Sequence, residues 1–106
     1  MSLLASVRPA ATTETALYAV PAAKKSVVNV TVLNTGTANA RIRIGQKATN
    51  TALAAADHIY AYDLLLSPLD PPFQITGIAL SALQALRVYT DVATVNFHVN
   101  GLEENA

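Results

Sequence analysis

The sequence predicts an all-β protein, a β-sandwich of jelly-roll type with about eight strands. Three observations lead there. Apolar and polar residues alternate with period two in several stretches, turn-forming residues separate these at roughly 8–12-residue spacing, and the composition is rich in apolar residues and poor in charge. Of 106 residues, 52% are hydrophobic and 13% charged, against about 25% charged in an average globular protein. That balance excludes general disorder, which needs low hydrophobicity and high net charge. The length fits one domain around one core.

Taken in order, Leu17–Val20 reads as a strand that ends at Pro21. Val28, Val30 and Val32 then fall on one face, with Asn29, Thr31 and Leu33 on the other. Asn34-Thr35-Gly36-Thr37 has turn composition, and beyond it Ala40, Ile42 and Ile44 alternate with Arg41 and Arg43. Two β-branched runs around an Asn/Gly turn predict a β-hairpin. The alanine-rich stretch Ala48–Asp57 reads as a short helical turn or an irregular loop, with a full helix as the competing reading, since Ala is the best helix former. Ile59–Leu66 forms a further strand, stopped by Ser67-Pro68 and Asp70-Pro71-Pro72. Ile78 and Leu80 lead through Ser81–Gln84 to Leu86 and Val88, and Val95, Phe97 and Val99 alternate with Asn96, His98 and Asn100 in a closing strand. The expected core is therefore Val28, Val30, Val32, Ile42, Ile44, Leu80, Leu86, Val88, Val95, Phe97 and Val99, because a one-residue slip would put each of these in water.

The ends differ from this middle. Residues 1–13 carry Leu3, Leu4 and Val7 without sustained alternation. They read as an N-terminal arm that needs an external surface to become ordered. Residues 14–102 are the sandwich domain, and Glu103–Ala106 is a short polar tail. No stretch approaches the roughly 20 apolar residues of a membrane span, and the start lacks the basic region and apolar length of a signal peptide. The glycosylation sequon Asn29-Val30-Thr31 reads as chance in that setting.

The residues that carry chemistry are sparse, and no catalytic, cofactor or metal site is expected. Cysteine is absent, which removes disulfides, thiolate zinc sites and cysteine nucleophiles. His58 lies beside Asp57 and near Asp63, so a carboxylate–histidine pairing is conceivable, but it and His98 read as surface histidines. A jelly-roll enzyme of the cupin kind would need His and carboxylate ligands clustered inside the barrel, which two distant histidines do not supply. Gly36, Gly45, Gly77 and Gly101 are dispersed and form no phosphate-binding loop. A formal net charge of +0 gives no footprint for nucleic acid, and it leaves little repulsion between copies, so a homo-oligomer is expected. Candidate partner-binding residues are Leu3, Leu4 and Val7 of the arm, Arg41 and Arg43 on one face of a strand, and Tyr60 and Tyr62, which share a face beside Asp57 and Asp63. Tyrosines next to acids suit interfaces and sugar-binding patches alike.

Thr15–Lys24 (TALYAVPAAK), followed by Val27–Thr37 (VVNVTVLNTGT), resembles small structural proteins of tailed bacteriophages. In these a T-x-L-Y-x-V-P-A-G-K stretch leads into a valine-rich strand and an N-T-G-T-type turn. Thr76–Tyr89 and Val95–Gly101 are similar too, so the resemblance covers more than half of the chain. Ala23 and Leu83 stand where the pattern has glycine, which implies altered turn geometry there. The resemblance implies a virion protein without catalysis, assembled in the host bacterial cytoplasm. It would be a capsid decoration (cement) protein, trimeric by preference and bound to the major capsid protein. The alternative is a tail or baseplate component next to neighbouring tail proteins, acting as an adaptor or as a carbohydrate- or receptor-binding module. Neither role involves a cofactor, nucleic acid or a membrane.

Overall fold

Lys24–Asn34 and Val95–Asn105, the longest alternating runs, pair antiparallel in unbroken register from end to end, Lys24 opposite Asn105 and Asn34 opposite Val95. Around this ladder the computed structural model describes residues 2–106. Among the described residues the strands are β1 (Ser2–Val7), β2 (Thr15–Ala19), β3 (Lys24–Asn34), β4 (Ala40–Lys47), β5 (Ala61–Leu66), β6 (Phe73–Leu80), β7 (Ala85–Thr90) and β8 (Val95–Asn105). They form two four-stranded antiparallel sheets: sheet I, in the order β1-β8-β3-β6, and sheet II, in the order β2-β7-β4-β5. The pairings nest, β1 with β8, β2 with β7, β3 with β6 and β4 with β5. A strip folded at its middle and wound over itself gives this pattern, the eight-strand jelly roll.

The inward residues of both sheets meet in one core. Every expected core residue is buried, Phe97, Ile42, Ile44 and Leu86 being the largest of those shut off from solvent. Arg41 and His98 face out, and Arg43 and Asn96 are half-buried on the outer faces. Tyr18 crosses between the sheets at the rim, where its hydroxyl donates to the Glu103 carboxylate of β8 at 2.5 Å. Burial first, and the Glu103 bond second, push the Tyr18 phenol above its ordinary value.

Three expectations are corrected by this architecture. β3 and β4 both exist, but they are not a hairpin: the connection crosses from sheet I to sheet II, and both sides of β3 are taken by β8 and β6. Alternation tells which residues face the core and says nothing about which strand lies alongside. The crossing is held by Asn34, buried at 2% exposure. Its amide nitrogen donates to Ala38 O and Leu66 O, and its amide oxygen accepts from Gly36 N and the Thr94 hydroxyl, all within 2.8–3.0 Å. Satisfying all of these groups lets a polar side chain occupy the interior.

Secondly, the N-terminal segment is no free arm. Met1 lies outside the described residues, and Ser2–Val7 is edge strand β1, paired with β8 from Ser2 opposite Gly101 to Val7 opposite Phe97. A bulge between Leu3 and Ala5 turns both Leu4 and Ala5 toward the core, which erases the alternation that would have marked a strand. Arg8 then fastens the segment, donating to Ala93 O, the Thr35 hydroxyl and Asn96 Oδ1, each at 3.1 Å. Thirdly, Glu103–Asn105 is not a tail but the end of β8, opposite Lys24–Ser26. The alanine-rich stretch is an irregular loop with one short 3-10 turn, Ala55–Asp57.

Candidate partner-binding surfaces

Four strand edges, two outer faces and the connecting loops are what such a sandwich can offer a partner. The edges are all interrupted. β1 and β2 carry bulges at Leu3/Ala5 and Ala16/Tyr18, and β6 and β5 carry an extra residue opposite Val28/Val30 and Ile42/Ile44. The interior ladders, β3 with β8 and β4 with β7, run without a break. An irregular edge cannot template another strand, so contacts fall to faces and loops.

The outer face of sheet II is charged and partly covered. Arg43 of β4 lies opposite Tyr89 of β7, and its guanidinium carbon is 4.5 Å from the Tyr89 ring centre and 4.6 Å from that of Tyr62. Asp63 reaches it from β5 at 2.6 Å. The geometry comes from the β5 bulge, where Asp63 takes φ +53°, a conformation Asp tolerates better than most residues. The Arg43 hydrogen bond, outweighing burial, holds the Asp63 carboxyl below its ordinary range, and the same bond raises Arg43. Arg41 stays exposed, bonded only through Nη1 to Asp63 O at 3.2 Å on its side chain.

The same bulge separates the two candidate tyrosines. Tyr62 points out at 58% exposure. Tyr60 packs against the core, its hydroxyl donating to Gln46 Oε1 at 2.6 Å, and burial pushes its phenol above the ordinary value. The expected shared face therefore does not exist. Nor does a carboxylate–histidine pair: Asp57 accepts from Ala54 N at 2.7 Å and lies 3.9 Å from Lys47 Nζ, while His58 meets Tyr62 edge-on at 5.1 Å. The rest of this face lies under the β4–β5 loop, which packs so closely that a Cβ on Gly45 would come within 2.6 Å of Asp57 O. Glu14 secures that loop by accepting from Leu53 N and from Arg87 Nε, the latter at 2.8 Å.

The outer face of sheet I is different in kind. Its middle rows, read across β8 and β3, pair Asn96 with Leu33, His98 with Thr31, Asn100 with Asn29 and Leu102 with Val27. Ser6 and Leu3 of β1 and Gln74 and Ala79 of β6 extend these rows. None carries a formal charge with histidine neutral; Lys25 and Glu104 come only at the end, 3.8 Å apart. Thr31, Leu33, Pro72, Asn96, His98 and Asn100 line a shallow groove of about 320 Å³ on this face. Leu3 contributes to the face, whereas Leu4 and Val7 pack inward.

One further feature escaped sequence reasoning. In the β5–β6 connection Asp70 N donates to Ser67 O at 3.1 Å and Ser67 N to Asp70 Oδ2 at 2.9 Å. This closes a β-turn with Pro68 at its second position, a proline-favoured site. Leu69 at the third position is 97% exposed. The turn had been legible as a strand stop; a leucine inside Ser-Pro-Leu-Asp-Pro-Pro was the available signal. Among the described residues no group of three or more His, Asp or Glu is placed to hold a metal, and no helix is long and apolar enough to cross a membrane. No family model, no curated protein and no solved structure matches this chain.

Proposed function

We propose that this protein is a non-enzymatic structural component of a tailed-phage virion, a decoration protein that binds the assembled capsid lattice as a homo-oligomer, preferably a trimer. The observation that carries the reading is the outer face of sheet I, broad, uncharged and uncovered, on a jelly roll whose four edges are closed to strand addition. The likeness of Thr15–Thr37 and Thr76–Gly101 to phage structural proteins supports the same role. Decoration acts by mass action: copies that bind the lattice and not its dissociated subunits shift the equilibrium toward the lattice. The tail-tip, sugar-binding alternative draws less support, because the Tyr62 and Tyr89 rings already stack on Arg43 and Tyr60 is turned inward. Electron microscopy of source-phage particles with antibody to this protein tests the reading. Label over the capsid shell is expected; label confined to the tail selects the alternative, and unlabelled particles contradict both.

A further inference from the structure

We propose that Leu69 is the anchor of a contact between two copies of this chain, docking in the uncharged groove that Leu33 and Pro72 help to line on its neighbour. The inference deepens the assembly reading above and rests on it for the existence of self-association, not for binding to a capsid. The fold itself gives no reason for leucine here. The turn is closed by Ser67, Pro68 and Asp70, and its third position would accept a polar residue, yet it holds the most exposed large apolar side chain among the described residues. Reciprocal hydrogen bonds and three nearby prolines fix the turn before any partner arrives, so docking orders little that was loose, which favours affinity.

The groove suits that side chain. All of its lining residues are uncharged with histidine neutral, so a leucine can enter without stranding a charge. It is not filled from within: Pro72 lines it only three residues beyond Leu69, while Leu69 itself stands 97% exposed. A second copy brings the matching knob. The molecule's broad side, 42 by 29 Å, exceeds the roughly 800 Å² per partner that a stable interface buries, and zero net charge sets no long-range barrier between copies. With the edges irregular, a knob-in-groove contact is the route the surface leaves open.

The test uses sedimentation of the full chain together with cysteine cross-linking. Wild-type protein should self-associate, and Leu69→Ser should weaken that association by about 30-fold or more, as loss of an interface anchor does, with an unchanged thermal midpoint. Because the chain has no cysteine, a mixture of Leu69→Cys and Leu33→Cys proteins should yield a disulfide-linked dimer containing one of each, in excess over either variant alone. A wild-type monomer at up to about 100 μM, where even modest contacts fill, overturns the proposal. So does an oligomer indifferent to Leu69→Ser, or one without the mixed cross-link. If the wild type is monomeric and Leu69→Ser instead loses binding to capsids, Leu69 belongs to the capsid contact. The copy-to-copy anchor is then wrong while the decoration reading stands.

Discussion

At Ala23 and Leu83 the backbone takes φ +62° and +68°, the left-handed region that costs a residue with a Cβ roughly 1–2 kcal/mol. Each is the third residue of a β-turn, closed by Lys24 N to Pro21 O and by Gln84 N to Ser81 O, both 3.2 Å. That is the position where a type II turn selects glycine. The expectation of altered geometry at these two sites is thus reversed: the glycine conformation is kept and the strain accepted. Both side chains are exposed, so little packing opposes replacement. Ala23→Gly and Leu83→Gly should each change stability by about 0 to +1 kcal/mol, the relief of strain less the about 0.4–1 kcal/mol entropic cost of glycine. A loss above about 1 kcal/mol in urea melts would contradict the strain account.

Asp63 sets a second residue-scale expectation. Its carboxyl is held below the ordinary range chiefly by Arg43, so the folded chain binds that proton less readily than the unfolded one. The stability this gives is present above the ordinary value and lost as pH falls through the lowered one. Asn also tolerates positive φ, so Asp63→Asn keeps the bulge and removes only the charge. Wild type should exceed Asp63→Asn in thermal midpoint at neutral pH, and the gap should close on acidification to about pH 2. A gap that stays constant with pH would mean that the ion pair contributes nothing.

Elements show what alternation can and cannot reveal. Val28–Val32, Ile42–Ile44 and Val95–Val99 were legible because interior strands are regular, and one slip would expose a whole face. Edge strands were harder to read because bulges place neighbours such as Leu4 and Ala5, or Leu17 and Tyr18, on the same side. The device that blocks strand addition also hides the strand. The winding of the roll was legible only as a class: the short turns after β3 and β6 are sheet crossings, and nothing local distinguishes a crossing from a hairpin. β1 gives this scale its prediction. Deleting residues 2–8 strips one side of β8, removes Leu4, Ala5 and Val7 from the core boundary and loses the Arg8 fastenings. The midpoint should fall by roughly 10 °C or more, on about 4–8 °C per kcal/mol for a domain of this size. A midpoint within a few degrees of wild type would restore the segment as an arm that works outside the sandwich.

For the whole molecule, composition pointed to association and not to its location. Low charge is a property of the sum, whereas the structure separates two faces, one bearing Arg41, Arg43, Asp63 and Arg87 and the other uncharged across its middle rows. Of the candidate contact residues, Arg41, Arg43 and Tyr62 share the first face and Leu3 lies on the second, while Leu4, Val7 and Tyr60 serve the core. Tyr60 was misassigned because a single extra residue in β5 reverses the phase between it and Tyr62. Leu69 had no periodicity to announce it, since a turn residue belongs to no face. The central claim is that this jelly roll recognises an assembled lattice. Co-sedimentation of the purified protein with intact capsids stripped of decoration, set beside the same capsid subunits after dissociation, tests it most directly. Saturable binding to the intact shells, with a raised disassembly temperature and no binding to free subunits, is predicted; equal binding to both, or binding to neither, would contradict it.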